Sequence, residues 1–411
     1  MKRLLCITVV VVMIMALVAA CGEDLAPAPA PAPAPEAPAP APAPAPEAPA
    51  PADEAPAPAA SGESVDDILR RVMPDQMADG VVRVAVIRNL AAGDHTQQFL
   101  EGCVSEGHAL GFEVDTIVTD GDNVRAQEAI ALVIQQDYDG LILSHGEAGY
   151  TYDSLLPAIA KGMKVVTFDS VPHEGGDPNN PILAGVTSTA QDDVKLAELS
   201  LGHIVEFFPE SAQPIRVVRA WMGPGIPPLD RRQVVYDRLV AEGKIVELAL
   251  VGAPDFSNVR GSTRSAFAAM LPRFPEGSID AVWGSYDELA KGVLDALDEA
   301  GRTDVRIMSI DISNDNINLM QDFSEIWVST SAVDPKLIGI SNMRLLAAKF
   351  AGEPTPDEYV LDAQIVKTEL LNRNINMTNL HTIIPDWGQE AGVFDHYPWM
   401  IELKAAVAAG R

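Results

Sequence analysis

The sequence predicts an α/β protein with two doubly wound lobes, each built on a parallel β-sheet. From about residue 82 onward, short apolar segments alternate with segments of helical spacing, as in the β-α-β units of parallel sheets. The alternation is interrupted once, near residues 184–187, and then restarts. The roughly 350 residues beyond the N-terminal region exceed what a single hydrophobic core usually holds. We therefore expect one sheet before the interruption and one after it, each covered by helices.

The first lobe is predicted from four strands and the helices between them. The strands are apolar along most of their length, as strands covered on both faces are, and we place them at residues 82–87, 112–118, 140–144 and 164–168. Apolar residues at helical spacing place helices at residues 96–110, 123–135 and 152–161. Gly111 is the expected stop of the first of these helices.

The second lobe repeats the pattern. We predict its strands at residues 215–221, 245–251, 281–284 and 305–311, and its helices at residues 192–208, 230–241, 259–270 and 288–300. A last strong helix is expected at residues 335–350. Residues 372–411 fall outside the alternation.

The N-terminus has the pattern of an exported lipoprotein. A short basic region precedes the apolar run of residues 4–18, and small residues then lead directly to Cys21. The run is shorter than the ~20 apolar residues that a membrane-spanning helix needs, which is the alternative interpretation. We interpret residues 1–20 as a signal peptide and Cys21 as the lipidation site.

Residues 21–62 are rich in alternating Ala and Pro. Proline fixes φ and removes the amide donor, so this segment is expected to be an extended, polyproline-II-like linker. It would hold a globular head at a distance from the membrane.

Composition and motifs exclude several classes of function. The net charge of −29 argues against binding to nucleic acid. The sequence has no Gly-rich phosphate loop, GxSxG or HExxH motif, and Cys103 is the only cysteine after Cys21. We interpret Ser144-His145 as a loop after a strand, and Asp192-Asp193 as a helix cap. No enzyme activity, cofactor or metal is therefore expected.

Polar and aromatic residues follow several of the predicted strands. Ligands of open α/β sheets bind outside the carboxyl ends of the strands, and this chain has there Asp169, Arg231, Arg232, Phe256, Tyr286, Asp287 and Asp311. Carboxylates can accept from vicinal hydroxyls, and an arginine fork can donate to two oxygens. This combination favours a polyhydroxylated ligand.

An ordered series of segments resembles the periplasmic sugar-binding proteins of the ribose/galactose type, which are the substrate receptors of ABC importers. The resemblance covers residues 81–370, and its segments are residues 165–169, 230–236, 255–256, 281–292 and 304–311. It implies the type I periplasmic binding protein fold, in which two lobes are joined by three crossovers, here expected near Thr187, Val333 and Leu361. It implies an N-terminal lobe of residues 63–187 and 334–361, and a C-terminal lobe of residues 188–333 and 362–411.

The resemblance also implies a set of ligand-binding residues. They are Asp94, His95, Thr96, Asp169, Ser170, Arg232, Phe256, Tyr286, Asp311, Val333 and Asp334. Several depart from the ribose type. Ser170 stands in place of an Arg, Tyr286 in place of an Asn and Val333 in place of a Gln, so a sugar or polyol other than ribose is favoured.

The expected protein is thus a monomeric, lipid-anchored, extracytoplasmic receptor that closes on a monosaccharide or sugar alcohol and delivers it to a membrane permease. The sequence leaves three alternatives open. The same fold could serve a sensory or chemotaxis system, or bind a nucleoside or signal molecule. A surface glycoside hydrolase would need a suitably spaced carboxylate pair.

Overall fold

The computed structural model describes residues 62–90, 93–224, 226–255, 257–388, 394 and 396–411. The predicted signal peptide, Cys21 and the linker up to residue 61 lie outside the described residues, as does Phe256. No helix within the described ranges combines the length and apolarity needed to cross a membrane.

The described residues contain twelve strands and eleven α-helices. In chain order the strands are β1 (Arg83–Arg88), β2 (Glu113–Val118), β3 (Gly140–Ser144), β4 (Lys164–Phe168), β5 (Val186–Gln191), β6 (Ile215–Ala220), β7 (Ile245–Val251), β8 (Ala281–Gly284), β9 (Arg306–Ile310), β10 (Trp327–Ala332), β11 (Glu358–Leu361) and β12 (Gln364–Lys367). The helices are α1 (Val65–Val72), α2 (Asp94–Ala109), α3 (Asn123–Gln135), α4 (Ala148–Ala160), α5 (Asp193–Phe207), α6 (Pro227–Ala241), α7 (Val259–Met270), α8 (Asp287–Glu299), α9 (Asn314–Asp322), α10 (Pro335–Phe350) and α11 (Pro398–Ala408).

The strands form two six-stranded sheets. The first has the order β11-β5-β4-β3-β1-β2 and is parallel throughout. The second has the order β12-β10-β9-β8-β6-β7, in which only β12 runs antiparallel to its neighbour among the pairs described. In both sheets the order reverses beside the first strand, so a crevice opens there at the carboxyl ends of the strands. The prediction of two doubly wound α/β lobes is confirmed.

Strand β10 and helices α1 and α11 were not predicted from the sequence, because they deviate from the alternation of apolar strands and amphipathic helices. Strand β10 carries Ser329, Thr330 and Ser331 in place of an apolar run, yet all three are fully buried. Their hydroxyls are paired: Ser309 donates to Thr330, and Ser331 donates to a carbonyl of α5 at 2.7 Å. Helices α1 and α11 are short, and each supports the other instead of belonging to the strand–helix alternation.

The structure corrects the expected lobe boundaries at two places. Strand β5 belongs to the first sheet over its whole length, so the chain leaves the first lobe after Gln191 and not after Thr187. Residues 362–411 were expected in the second lobe, but α11 packs on α1 and α2 of the first lobe. The reason is the apolar face of α11, which buries Met400 and Leu403 completely, together with an ion pair of 2.7 Å from Arg71 to Glu402.

The segment between β12 and α11 stays on the second lobe. Ile375, Leu380 and Trp387 are buried in a cluster with Ile312 and Ile317 at α9. The C-terminal segment therefore contacts both lobes, the second before residue 388 and the first after residue 397.

Helices α2 and α10 touch through two glycines. A Cβ atom on Gly102 would overlap the carbonyl oxygen of Lys336, and one on Gly339 would overlap the carbonyl oxygen of Phe99. Backbone carbonyls cannot move aside as the end of a flexible side chain can. The two glycines therefore set the close approach of helices that belong to the same lobe but are far apart in sequence.

We expect Gly102→Ala to lower the free energy of unfolding by about 1–3 kcal/mol, because overpacking forces backbone shifts. The matched control is Gly202→Ala in α5, where a Cβ meets no atom within 4 Å and the loss of backbone freedom in the unfolded chain should stabilise by up to about 1 kcal/mol. Urea unfolding of the two variants measures the difference. Equal effects would contradict the proposed role of Gly102.

Candidate functional site

Three polar residues at strand ends adopt the left-handed backbone conformation. His145 follows β3, Asp169 follows β4 and Asp311 follows β9, with φ of 61°, 48° and 72°. Non-glycine residues occupy this region at a cost of about 1–3 kcal/mol, and such positions concentrate at functional sites. Two of these ends belong to the first lobe and one to the second, so the strained positions converge on the crevice between the lobes.

Arg88, the last residue of β1, is fully buried in the first lobe. Its Nη1 atom donates to Ser144 Oγ at 2.5 Å and to His145 Nδ1 at 3.2 Å, and its Nη2 atom donates to His95 Nδ1 at 3.0 Å. The guanidinium also lies 4.6 Å from the ring centre of Phe99. Burial lowers the pKa of Arg88 to about 10, so the group remains charged at neutral pH.

The two histidines that accept from Arg88 are neutral. Burial and the adjacent Arg88 charge lower the pKa of His95 to about 3, and they lower the pKa of His145 well below its usual value. An arginine only donates, so Nδ1 accepts in both rings and the proton resides on Nε2. His145 Nε2 lies 3.8 Å from Asp169 Oδ2. Both histidines can therefore present an uncharged N–H donor.

In the second lobe, two adjacent arginines share one buried carboxylate. Asp193 Oδ2 accepts from Arg231 Nη2 at 2.6 Å, and Asp193 Oδ1 accepts from Arg232 Nε at 2.8 Å. Arg232 Nη1 donates to the Ser285 carbonyl at 2.7 Å and lies 3.6 Å from Asp311 Oδ2. Asp193 thereby fixes both guanidinium groups while leaving Arg232 directed toward Asp311.

Two contacts join the lobes across the crevice. Arg231 Nη2 of the second lobe lies 3.7 Å from Asp169 Oδ1 of the first. The Asn314 amide at the start of α9 donates to Asp94 Oδ2 at the start of α2, at 2.6 Å. The structure therefore has its lobes in contact at the strand ends.

We refer to Arg88, His145, Asp169, Asp193, Arg231, Arg232 and Asp311 as the strand-end cluster. Its three guanidinium groups balance its three carboxylates when all are ionised. Asp169 Oδ1 and Asp311 Oδ1 are nevertheless buried without a hydrogen-bond partner. Burial raises the pKa of Asp169, with the Asp193 charge as a further cause, and burial raises the pKa of Asp311 to about 6. Unfilled acceptor capacity in a charge-balanced site suits an uncharged ligand with hydroxyl donors.

The structure brings together four of the residues predicted from sequence, namely His95, Asp169, Arg232 and Asp311. Thr96 Oγ1 lies beside them, 3.5 Å from Arg88 Nε. Tyr286 is partly buried; its hydroxyl lies 3.9 Å from the Met222 sulfur, and burial raises its pKa.

Other predicted residues have different surroundings. The buried Ser170 hydroxyl donates to the Gly146 carbonyl at 2.9 Å, and Val333 packs in the hydrophobic core. Asp334 caps α10 by accepting from the Lys336 amide at 2.9 Å. Asp94 and Asp334 line a separate cavity.

Sequence reasoning missed Arg88, His145 and Asp193 as members of the cluster. His145 was interpreted as part of a loop, and Asp193 as part of a helix cap. Only Asp192 caps α5, by accepting from the Lys195 amide at 2.9 Å. A local signal existed for Arg88, which directly follows an apolar strand. A charged residue in that position lies at the crevice.

The raised pKa of Asp311 makes a pH-dependent prediction. A carboxyl whose pKa rises from 3.8 to about 6 on folding binds its proton more tightly when folded, so its contribution to stability falls as pH rises through this window. We expect the free energy of unfolding of the wild type, relative to Asp311→Asn, to decline between pH 4 and pH 6. Urea unfolding at several pH values measures it.

Asp304 provides a control of opposite sign for this experiment. Hydrogen bonds from Arg302 lower the pKa of Asp304 to about 2, so its stabilisation is present above pH 4 and is lost only in stronger acid. The wild type relative to Asp304→Asn should therefore change little between pH 4 and pH 6. A flat profile for Asp311→Asn as well would contradict the assignment.

Comparison with known proteins agrees with this architecture. The family described as periplasmic binding protein domain matches residues 84–354, well over half of the chain. The chain belongs to the periplasmic binding protein family. The match begins in β1 and ends just after α10, so α1 and the C-terminal segment with α11 lie outside the matched residues.

Solved structures of similar proteins cover more of this binding protein. A sugar ABC transporter protein from Yersinia enterocolitica subsp. enterocolitica 8081 is 38% identical, covers 81% of this chain and 98% of its own, and superimposes with a TM-score of 0.71. A 5-methylthioribose transporter solute binding protein from Thermotoga lettingae TMO, solved with 5-methylthioribose, is 26% identical, covers 80% of this chain and 97% of its own, and has a TM-score of 0.66. The ribose import binding protein of Bacillus subtilis (strain 168) is 24% identical over 239 residues, which is 58% of this chain and 72% of that protein.

Proposed function

We propose that this binding protein is the solute receptor of a sugar ABC importer and that its ligand is an uncharged monosaccharide or sugar alcohol. The strand-end cluster carries this proposal. It combines buried arginines and buried carboxylates with unfilled acceptor capacity, which come from both lobes, with the neutral histidine donor His145 of the first lobe. The similarity to a sugar ABC transporter protein and to a ribose import binding protein supports the same class of ligand.

The charge balance of the cluster argues against an anionic ligand. Arg231 and Arg232 already pair with Asp169, Asp193 and Asp311, and the charge of Arg88 makes the ionised cluster neutral overall, so a phosphate or carboxylate would bring an uncompensated charge into a buried site. Hydroxyl groups bring no charge, and each can donate to a carboxylate oxygen while accepting from a guanidinium or imidazole N–H.

Ligand binding should couple to closure, because the cluster is completed only when the lobes meet. Asp169 and His145 belong to the first lobe, and Arg232 and Asp311 to the second. A ligand that contacts both sets favours the closed state by its difference in affinity for the two states. The closed form would then be the form that docks on the permease.

The proposal places the receptor outside the cytoplasmic membrane, held by a lipid on Cys21 and by the Ala/Pro-rich linker, and working as a monomer. The N-terminal pattern described above supports the anchor. Labelling with a radioactive fatty acid should modify the wild-type protein and leave Cys21→Ser unlabelled. Label on the Cys21→Ser protein would place the lipid elsewhere.

A thermal-shift screen tests the ligand class. The full-length protein in detergent is screened against pentoses, hexoses, deoxysugars, polyols and nucleosides, with sugar phosphates as the charged set. A ligand at 100 times its dissociation constant stabilises by about 2.7 kcal/mol, which is a shift of several degrees. We expect a hit among neutral sugars or polyols and none among their phosphates. A hit only among sugar phosphates or nucleosides would overturn the proposed ligand class.

A further inference from the structure

A cavity of about 360 Å³ lies where α2, the start of α9, the start of α10 and the C-terminal segment meet. We call it the hinge cavity, and its lining includes Asp94, Gln98, Asn314, Asp334 and Trp387. The volume falls within the ~300–1,000 Å³ of small-molecule sites. Among the described residues, the strand-end cluster contributes none to the lining. The cavity therefore lies apart from the strand-end cluster, and it is bordered by both lobes and by the C-terminal segment.

Two buried hydrogen-bond donors at the hinge cavity lack acceptors. Gln98 Nε2 and Trp387 Nε1 make no hydrogen bond within the described part of the chain. Their residues are only 8% and 2% exposed, and both line the cavity. A buried N–H without an acceptor costs about 1–3 kcal/mol. The two nitrogen atoms are themselves buried, and a small rotation of either side chain toward the cavity would let an oxygen-bearing molecule there supply the missing acceptor.

The same cavity also offers acceptors of its own. Asp94 Oδ2 accepts from the Asn314 amide at 2.6 Å, and Asp334 Oδ1 accepts from the Lys336 amide at 2.9 Å. An ionised carboxylate has about four lone-pair sites, so each can accept further hydrogen bonds. Hydroxyl groups satisfy both needs at once, because each accepts from a donor and donates to a carboxylate.

Charge at the hinge cavity excludes an anion. Lys336 is the lysine of its lining, and its ammonium is paired with Glu101 at 2.6 Å. Asp94 and Asp334 then leave the lining acidic. Gly388 allows the backbone of the C-terminal segment to approach the Asp334 carboxylate closely. Its φ is +64°, and a Cβ atom at this position would lie 2.6 Å from Asp334 Oδ2.

We propose that the hinge cavity is a second binding site, for a small uncharged polyol, formed by the C-terminal segment and independent of the strand-end cluster. The site goes beyond the proposed transport function. Its occupant touches α2 of the first lobe and α9 of the second, so binding there favours contact between the lobes.

The test uses glycerol, erythritol, xylitol and myo-inositol as probes, with isothermal calorimetry on the full-length protein in detergent. Trp387→Phe keeps an aromatic ring and removes the indole donor, and Gln98→Met keeps the chain length and removes the amide. We expect at least one probe to bind to the wild type and to Asp311→Asn with equal affinity. Both cavity variants should lose at least tenfold in affinity for that probe.

Trp399→Phe is the matched control, because Trp399 Nε1 donates to Glu353 at 3.1 Å and lies outside the cavity lining. This variant should bind the probe normally but melt at a lower temperature. Trp387→Phe loses buried packing in the cluster with Ile375 and Leu380, so it too should melt at a lower temperature without the probe, and the affinity for the probe is the measurement that separates the two tryptophan variants. Failure of all four probes to bind to the wild type would overturn the site, and so would binding that Asp311→Asn abolishes or that the two cavity variants leave intact. If no polyol binds but a sugar binds and its binding requires Asp311, only this second site is overturned. The transport proposal then stands.

Discussion

Replacing Asp193 with alanine is expected to lower the free energy of unfolding by about 3–5 kcal/mol. Asp193 is buried and accepts from both Arg231 and Arg232. Removing one member of a buried ion pair leaves the other charge uncompensated, and here two guanidinium groups lose the same partner. Chemical denaturation of the variant measures the loss.

Asp192→Ala is the matched control for this prediction. Asp192 precedes Asp193 but only caps α5, through the Lys195 amide, so its loss should cost about 1 kcal/mol. Equal destabilisation by the two substitutions would mean that Asp193 acts as a helix cap and not as the anchor of the two arginines.

The second large effect is expected on ligand binding. Asp311→Asn should weaken binding of the sugar found in the thermal-shift screen by about 30-fold or more, equivalent to about 2 kcal/mol. The substitution keeps the shape of the side chain but removes the charge that faces Arg232 at 3.6 Å and replaces one acceptor oxygen with a donor. Isothermal calorimetry measures the change.

Ser170→Ala is the control that distinguishes the loss of a ligand contact from a general effect of substitutions near the site. Sequence reasoning predicted Ser170 as a ligand contact, but its hydroxyl donates to the Gly146 carbonyl. We expect its removal to change ligand affinity by less than threefold. A loss comparable to that of Asp311→Asn would return Ser170 to the ligand site, and normal binding by Asp311→Asn would remove Asp311 from it.

The two lobes could be predicted from sequence because apolar runs and helical spacing are local signals. The predicted strands at residues 140–144, 164–168 and 245–251 coincide with β3, β4 and β7. Strand β10 could not be predicted in this way, because its buried Ser and Thr residues are tolerated only through hydrogen bonds made by distant parts of the chain.

The residues of the candidate site could likewise be predicted only where the signal is local. Asp169 and Asp311 directly follow recognisable strands, so their place at the crevice follows from position alone. Asp193 resembles any acidic residue in the first turn of a helix, and its partners come 38 and 39 residues later in the chain. The place of Arg88 directly after an apolar strand indicates that it lies at the crevice, but its burial could not be predicted, because its partners His95, Ser144 and His145 lie on other elements.

The path of the C-terminal segment has a consequence for how the chain folds. The first lobe is assembled from three separate stretches: residues 62–191, the stretch from α10 to β11, and the closing helix α11. No N-terminal fragment that stops before residue 398 contains this lobe in full, so its last helix can dock only after the second lobe has been synthesised. Because Leu403 and Met400 are fully buried there, the two lobes should melt together in one calorimetric transition and not one after the other.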